Sequence, residues 1–184
     1  LSQKKELEYA AGKTTSIEIN GTYYSTFKPA SWIKWREETP NDFVFAVKGS
    51  RFCTNRKVLA GAGESVERFI GQGLAELGDK LGPINWQLMG TKRFDAADID
   101  GFLKLLPREV GGVKLRHALE VRHESFRTEQ FYDLVRRHGV AIVFADDDTF
   151  PKIDEPTADF TYARLMRKVG ASTTPELVHR LLTS

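Results

Sequence analysis

Short β-rich segments alternate with amphipathic helical segments along almost all of this 184-residue chain. Runs rich in β-branched and aromatic residues predict strands at 15–20, 43–48, 84–88, 118–123, 140–146 and 160–166. Apolar residues at helical spacing predict helices at 31–38, 64–79, 95–106, 128–138 and 175–183. This alternation is typical of a parallel sheet whose strands are joined by helical crossovers.

The clearest boundary signals flank the helix predicted at 128–138. Gly139 directly follows LVRRH, where a glycine commonly ends a helix and basic residues favour the last turn. Ser125 and Thr128 are both candidate N-caps for this helix.

Two closures of such a sheet compete, an open doubly wound sheet and a (β/α)8 barrel. No glycine-rich phosphate fingerprint follows the first strand, and GAGES at 61–65 lacks the Lys-Ser/Thr of a P-loop. Six strands suit a TIM-barrel-like fold that lacks its first and last strands. We therefore predict one (β/α) barrel domain over residues 1–184, incomplete at both ends.

Composition narrows the classes of function. A net charge of +2 creates no whole-protein field typical of a nucleic-acid or anionic-membrane binder. No apolar run approaches the roughly 18–20 residues of a membrane span, so we expect no membrane partner. Cys53 is the only cysteine, which excludes an internal disulfide and fits a reducing compartment, so a cytoplasmic location is expected.

Polar residues accumulate toward the carboxyl ends of the predicted strands. Because side chains alternate along a strand, Glu120 shares a face with Arg122, and Arg164 shares one with Tyr162. In a barrel these ends form one rim, where barrel enzymes place catalytic groups. Satisfied ion pairs would give the same pattern, but six ionisable groups at one rim favour a ligand site. The predicted rim residues are Glu18, Asn20, Lys48, Gln87, Glu120, Arg122, Asp146 and Arg164.

Seven segments occur in the order seen in a known family: SIEINGTYY, FVFAVK, LGPINWQL, FDAADIDGFLKLLP, ALEVRHESF, HGVAIVFAD and TADFTYARL. From about residue 7 to residue 165, the chain resembles the YecE-like family, also called domain of unknown function 72. The E-I-N-x-T-Y-Y and E-x-R-H runs are the most specific pieces. The resemblance implies a TIM-barrel-like fold of about 250 residues, but no reaction, because none is established for the family.

The sequence departs from the family pattern in two ways. The Gly-Trp-containing first strand and the closing strand are absent, and QLMG replaces the usual Q-L-P after Gln87. The pattern nevertheless carries over to all the rim residues named above. It adds Thr22, Tyr24 and His123, which are implied as site residues by the resemblance alone.

A metal site is disfavoured. Glu120 and His123 are three residues apart on a predicted strand, so they point to opposite faces. Lys48, Arg122 and Arg164 would also repel a cation. The remaining histidines are His117, His138 and His179, the last two on predicted helices. We predict neither a metal nor another cofactor.

Paired carboxylates suggest acid/base chemistry. Glu18 and Glu120 come from different strands, and two carboxylates flanking one bond perform glycoside hydrolysis. Tyr23 and Tyr24 follow the first strand and could stack on a sugar or base. The i, i+3 spacing of Trp32 and Trp35 is more typical of packing.

Anion binding is a further hypothesis for the same rim. Lys48, Arg122 and Arg164 could hold a phosphate or carboxylate. The neighbouring loop KGSRFCTNRK adds Arg51, Arg56 and Lys57, which could follow a nucleic-acid backbone, although such a loop is more often simply solvated. Cys53, within this loop, has no adjacent catalytic-base pattern and is interpreted as an incidental thiol.

The function predicted from these patterns is a metal-independent enzyme of hydrolase or lyase type. Its substrate is expected to be a polar small molecule, an anionic one included, with Glu18 and Glu120 as catalytic residues. The predicted substrate-binding residues are Asn20, Tyr24, Lys48, Gln87, Arg122, His123, Asp146 and Arg164. The alternatives are a nucleic-acid-binding or repair-nuclease-like barrel and a non-catalytic ligand-binding protein.

Overall fold

The structure is a computed structural model that describes residues 3–165, with side chains from residue 6 onward. Its helices are α1 Gln3–Ala11, α2 Pro29–Glu37, α3 Arg51–Thr54, α4 Gly63–Ile70, α5 Ala96–Lys104 and α6 Glu129–His138. Its strands are β1 Ser16–Ile19, β2 Val44–Lys48, β3 Leu81–Gln87, β4 Glu109–Val110, β5 Val113–Lys114, β6 His117–Glu120, β7 Ala141–Asp146 and β8 Tyr162–Leu165. Short 3-10 helices cover Gly21–Tyr23, Leu74–Lys80 and Glu124–Phe126.

Within the described residues, six strands form one parallel sheet in the order β1-β2-β3-β6-β7-β8. All residues of β6 and β7 are buried, as expected for strands covered on both faces. β4 and β5 form a separate antiparallel hairpin. The predicted parallel α/β architecture is therefore confirmed for this part of the chain.

The sheet is strongly curled. In a flat six-stranded sheet the outer strands would lie about 24 Å apart, given the usual strand spacing. Instead, the Tyr162 hydroxyl of β8 lies 2.5 Å from the Glu18 carboxylate of β1. The sheet thus wraps around an interior toward which one face of every strand points, consistent with a barrel that lacks strands.

The outer face of the sheet packs against the helices. Trp86 of β3 is fully buried, and its ring makes edge contacts with Phe69 of α4 at 5.3 Å and Phe102 of α5 at 5.7 Å. Phe126 and Phe131 extend this core toward α6. Each fully buried large apolar side chain contributes roughly 1.5–3 kcal/mol, so this layer holds the sheet in shape.

Each predicted strand is present in the structure, but one helical expectation needs correction. The helix predicted at 64–79 ends at Ile70, because Gly73 and Gly78 have positive φ values of 116° and 55° that interrupt an α-helix. The helix predicted at 175–183 lies outside the described residues. The short helix α3 and the β4–β5 hairpin were not predicted.

The predicted boundaries of α6 are confirmed. Gly139 has φ 64° in the left-handed region and ends the helix. The Thr128 hydroxyl accepts a hydrogen bond from the Phe131 amide and is the N-cap. Ser125 has a different task, because its hydroxyl accepts the Phe94 amide at 2.8 Å.

The described helices include none long and apolar enough to cross a bilayer.

We predict that Gly139→Ala lowers the free energy of unfolding by about 1–2 kcal/mol, the usual cost of a left-handed non-glycine residue. An added Cβ would contact nothing within 4 Å, so the whole cost would come from the backbone. Urea denaturation measures it. Gly12→Ala is the matched control, since its Cβ would meet Tyr9 O at an ordinary 3.5 Å. Equal stability of the two variants would contradict the argument.

Candidate functional site

A group of charged and amide side chains lines the interior of the curled sheet near the carboxyl ends of its strands. They come from β1, β2, β3, the end of β6 and β8, and strand alternation turns them inward while their neighbours face the helices. We call this group the charged cluster, and it consists of Glu18, Lys48, Asn85, Gln87, Glu120, Arg122, Tyr162 and Arg164.

Glu120 is the centre of the charged cluster and is fully buried. Its Oε1 accepts hydrogen bonds from Gln87 Nε2 at 2.8 Å and from Arg122 Nε and Nη2 at 2.9 and 2.7 Å. Its Oε2 accepts from Asn85 Nδ2 at 3.1 Å and Arg164 Nη1 at 2.8 Å. Burial alone would raise the pKa of Glu120, but these cations and amides hold it below its ordinary value.

Glu18 is less buried and less completely bonded than Glu120. Its Oε2 accepts hydrogen bonds from Asn85 Nδ2 at 3.0 Å and from the Tyr162 hydroxyl at 2.5 Å. Its Oε1 lies 3.6 Å from Arg164 Nη2, a looser ion pair. Burial and the adjacent Glu18 charge raise the pKa of Tyr162, so the phenol keeps its proton and donates to the carboxylate.

Asn85 joins the two carboxylates. Its Nδ2 donates to Glu18 at 3.0 Å and to Glu120 at 3.1 Å. The distance between the two acceptor oxygens is therefore at most the combined length of these two hydrogen bonds. Inverting glycosidases need about 6.5 Å or more between carboxyl groups. The space between the carboxylates is instead occupied by an amide and by the Arg164 guanidinium.

Lys48 is the cation of the cluster that the carboxylates do not hold directly. Its ammonium group lies 5.1 Å from the centre of the Tyr23 ring. Among residues 3–165, no carboxylate oxygen lies within 4 Å of Lys48 Nζ. Partial burial and the charge of Arg164 lower the pKa of Lys48, while Glu18 and Glu120 oppose that change. The amine is therefore easier to deprotonate than an exposed lysine.

Two arginines complete the positive charge. Arg122 lies with its guanidinium 4.4 Å from the centre of the Phe150 ring, which restricts its orientation. Burial alone would lower the pKa of Arg164, but Glu120 and Glu18 raise it, so it stays charged. Three cationic side chains therefore face two carboxylates, an excess that favours an anionic ligand.

An open cavity of about 810 Å³ runs between β1 and β8 and reaches the charged cluster. Glu18, Tyr162 and Arg164 line it, and Asn20 lies exposed on its edge.

The other predicted site residues lie outside the hydrogen-bonded network around Glu120. Asp146 ends β7, is buried, and has Oδ1 3.2 Å from Lys152 Nζ. His123 caps the 3-10 helix at 124–126, where its Nδ1 accepts the Ser125 amide at 3.1 Å. Tyr24 is exposed and lines a different cavity. Their roles in binding stay predictions.

Thr22 is buried between the ends of two strands. Its hydroxyl lies 2.6 Å from the Lys48 carbonyl oxygen and 2.8 Å from that of Ile19. The residue therefore fixes the backbone that carries Lys48 instead of presenting its side chain to the charged cluster.

The basic loop after β2 is partly engaged by its own surroundings. The Arg51 guanidinium lies 5.8 Å from the Tyr24 ring centre, and Arg56 Nη1 donates to the Gly61 carbonyl at 2.6 Å. Lys57 is exposed, and its carbonyl accepts Lys92 Nζ at 2.8 Å. Cys53 is fully buried, and burial raises the pKa of its thiol to about 12.

Histidines are absent from the charged cluster as the structure describes it. His117 lies in the core, where its Nδ1 accepts from Trp86 Nε1 at 3.1 Å and burial lowers its pKa. His138 Nε2 lies 2.8 Å from Asp100 Oδ1 on the helical surface. His179 lies outside the described residues. Across residues 3–165, no three His, Cys, Asp or Glu side chains converge as metal ligands.

Two members of the cluster, Asn85 and Tyr162, were not named as site residues from the sequence. Strand alternation places them on the same faces as Gln87 and Arg164, so the signal was present in the pattern. Their importance became visible only through their bonds to Glu18.

Comparison with known proteins places this chain among proteins without an assigned activity. A family model described as "Protein of unknown function DUF72" matches residues 1–181. The UPF0759 protein YecE of Escherichia coli K12 is 29% identical over 123 residues, or 65% of this chain and 42% of that protein. The chain thus spans less than half the length of this relative.

Two solved structures are similar in fold. A DUF72 family protein from Thermotoga maritima has a TM-score of 0.69 and 25% identity, over 89% of this chain and 65% of that chain. A DUF72 family protein from Enterococcus faecalis has a TM-score of 0.69 and 17% identity, over 92% of this chain and 73% of that one. At 17% identity the second comparison supports the fold alone.

We predict that Glu120→Gln lowers the free energy of unfolding by about 3–5 kcal/mol, because two partly buried guanidinium groups would lose their fully buried anionic partner. Urea denaturation at neutral pH measures the change. The control is Glu64→Gln, whose side chain is 88% exposed beside Arg68 and whose loss should cost less than about 1 kcal/mol. A cost for Glu120→Gln as small as the control would contradict a central structural role.

We also predict that the stability difference between the parent protein and Glu120→Gln depends on pH. The folded-state pKa of Glu120 lies below its ordinary 4.5, so the stabilisation is fully present above about pH 4.5. It is lost as the pH falls through the folded-state pKa. We expect the stability difference between the parent protein and Glu120→Gln to narrow on acidification below that point. A constant difference at every pH would contradict the assignment.

Proposed function

This chain belongs to the DUF72 family of proteins of unknown function, and from its charged cluster we propose that it acts on a small polar anion as a metal-independent hydrolase or lyase. The curled parallel sheet supports a TIM-barrel-like fold for the whole protein. In such barrels the catalytic groups lie at the carboxyl ends of the strands, which is where the cluster lies.

The observation that carries this proposal is the position of the Lys48 ammonium group, together with its lowered pKa. A purely structural network would be expected to pair every cation, yet this amine lies near both carboxylates without direct contact with either. Its lowered pKa makes a neutral amine more accessible, as a general base requires. We therefore assign proton abstraction from the bound substrate to Lys48.

The two arginines would bind the anionic group of the substrate. Arg122 and Arg164 each donate to Glu120, which fixes their planes while leaving other N–H groups available to a ligand. Glu120 accepts five hydrogen bonds and is held ionised, so it suits positioning better than proton transfer. The charge of a metal ion would be opposed by the three cations.

Glu18 is the better acid/base candidate of the two carboxylates. It keeps partial exposure to the cavity, and its contact with Arg164 is loose at 3.6 Å. In a hydrolase or lyase step, Lys48 would accept a proton from the substrate or from water. Glu18 in its protonated form would donate a proton to the leaving group, so the site loses at Glu18 the proton that it gains at Lys48, and the Tyr162 hydroxyl would donate to the carboxylate that results.

Asn85 adds a recognition element. Its Oδ1 is buried and has no hydrogen-bond partner among the described residues, while its Nδ2 serves both carboxylates. A buried unpaired acceptor is costly, at about 1–3 kcal/mol. Because Asn85 is fully buried, a ligand hydroxyl or amine would donate to it only after side chains of the cluster move aside, and would then bind more tightly. This favours a hydroxylated anion over a bare one.

The first experiment compares ligands by thermal shift and calorimetry. Ribose 5-phosphate and hydroxy acids such as malate would be tested beside the uncharged sugars ribose and glucose. We expect stabilisation by the anions alone, lost in Arg122→Ala. Arg127→Ala is the control, because the Arg127 side chain is 55% exposed and its ion pair with Glu124 is loose at 3.7 Å. Equal binding of anions and neutral sugars would contradict the proposal.

Turnover separates an enzyme from a passive binding protein. For a substrate found in this way, we predict that Lys48→Met lowers kcat by at least about 100-fold, the lower range for loss of a general base. kcat should rise with pH to a plateau at a pH below the 10.5 of an ordinary lysine, because only the neutral amine accepts a proton. A flat pH profile with unchanged kcat in Lys48→Met would contradict the mechanism.

A further inference from the structure

A second cavity, of about 500 Å³, lies beside the charged cluster and is not used by the proposed chemistry. Its rim carries Tyr24 and Phe52, two of the large apolar side chains most exposed among the described residues, at 63% and 62%. Exposed aromatic rings that share one cavity are typical of a binding surface. The Arg51 guanidinium lies within 6 Å of both ring centres, at 5.8 and 5.4 Å.

The inner wall of this cavity carries several hydroxyl groups and one arginine. Ser25, Thr26 and Ser65 contribute hydroxyl groups, and Arg68 adds one cation. Thr22 and Ser50 also line the wall, but their hydroxyls are already bonded to the backbone. Hydroxyls both donate and accept, so they suit the mixed edge of a nitrogen heterocycle. Carboxylates are absent from its lining as the structure describes it, so an electron-rich ring would meet no anionic side chain there.

A short series of side-chain contacts connects the cavity to the charged cluster. Lys48 Nζ lies over the Tyr23 ring at 5.1 Å, and the Tyr23 ring meets the Tyr24 ring edge-on at 4.9 Å. Thr22, which lines the cavity, bonds to the Lys48 carbonyl. A ligand of modest length could therefore occupy both places at once.

We propose that this cavity binds the planar ring of the substrate whose anionic group is held by Arg122 and Arg164. The substrate class is then an anion joined through a hydroxylated spacer to a planar nitrogen heterocycle, as in a mononucleotide. This inference rests on the proposed anion site for one end of the ligand. The ring would contact both Tyr24 and Phe52, with Arg51 supporting the stack.

The test compares adenosine 5′-monophosphate with ribose 5-phosphate, which lacks the ring, by titration calorimetry. We expect the nucleotide to bind more tightly to the parent protein. Tyr24→Ala and Phe52→Ala should each weaken nucleotide binding by about 5-fold to 100-fold, the effect of losing one base–aromatic stack. Both should leave ribose 5-phosphate binding unchanged. Tyr9→Ala is the matched control, since Tyr9 is a tyrosine 58% exposed on α1.

The outcomes separate this inference from the proposed function. If ribose 5-phosphate binds as tightly as the nucleotide and both depend on Arg122, the ring site is overturned while the anion site stands. If adenosine binds in a Tyr24-dependent way but no phosphate compound depends on Arg122, the ring site stands and the anion site fails. Affinity that grows with oligonucleotide length and falls steeply with salt would assign the surface to a nucleic-acid chain and overturn the small-molecule proposal.

Discussion

The buried carboxylate of Glu120 is the interaction on which the arrangement of the interior depends. An ionised group without solvent is tolerated only when its acceptor sites are filled by good donors. Here the donors come from β3, from the residues after β6 and from β8, so satisfying one carboxylate brings three parts of the sheet together. Arg164 extends the tie to Glu18 of β1, which draws the first and last described strands toward each other.

In this arrangement, charged side chains that stabilise the fold lie beside charged side chains that are available to a ligand. The carboxyl ends of parallel strands meet on one side of a sheet, so any polar residues that end them become neighbours. Glu120 accepts hydrogen bonds from both arginines and both amides, and these bonds fix the positions of the donors. Lys48 is left with a ring contact in place of a carboxylate, and the site gains an amine that the network orients without neutralising.

Alternation along the strands predicted much of this from the sequence. The inward faces of Glu18, Lys48, Gln87 and Arg164 follow from their strand positions, and the structure brings them together. The sequence could not predict that Glu120 is more buried and more fully hydrogen-bonded than Glu18, because burial depends on how the other elements pack over each strand. Hydrophobic spacing also failed to predict where the helix at 64–79 ends, because the left-handed backbone of Gly73 prevents the helix from continuing. The β4–β5 hairpin is too short to produce a clear alternation.

Cys53 offers a way to observe motion beside the second cavity. The thiol is fully buried in α3, and its pKa of about 12 leaves almost no thiolate at neutral pH. A maleimide or disulfide reagent can therefore modify it only after this short helix opens. As the sole cysteine of the chain, it reports one event, so the labelling rate measures local opening directly. Arg51 and Phe52 are carried by the same turn, and a ligand that stacks on them would slow that rate.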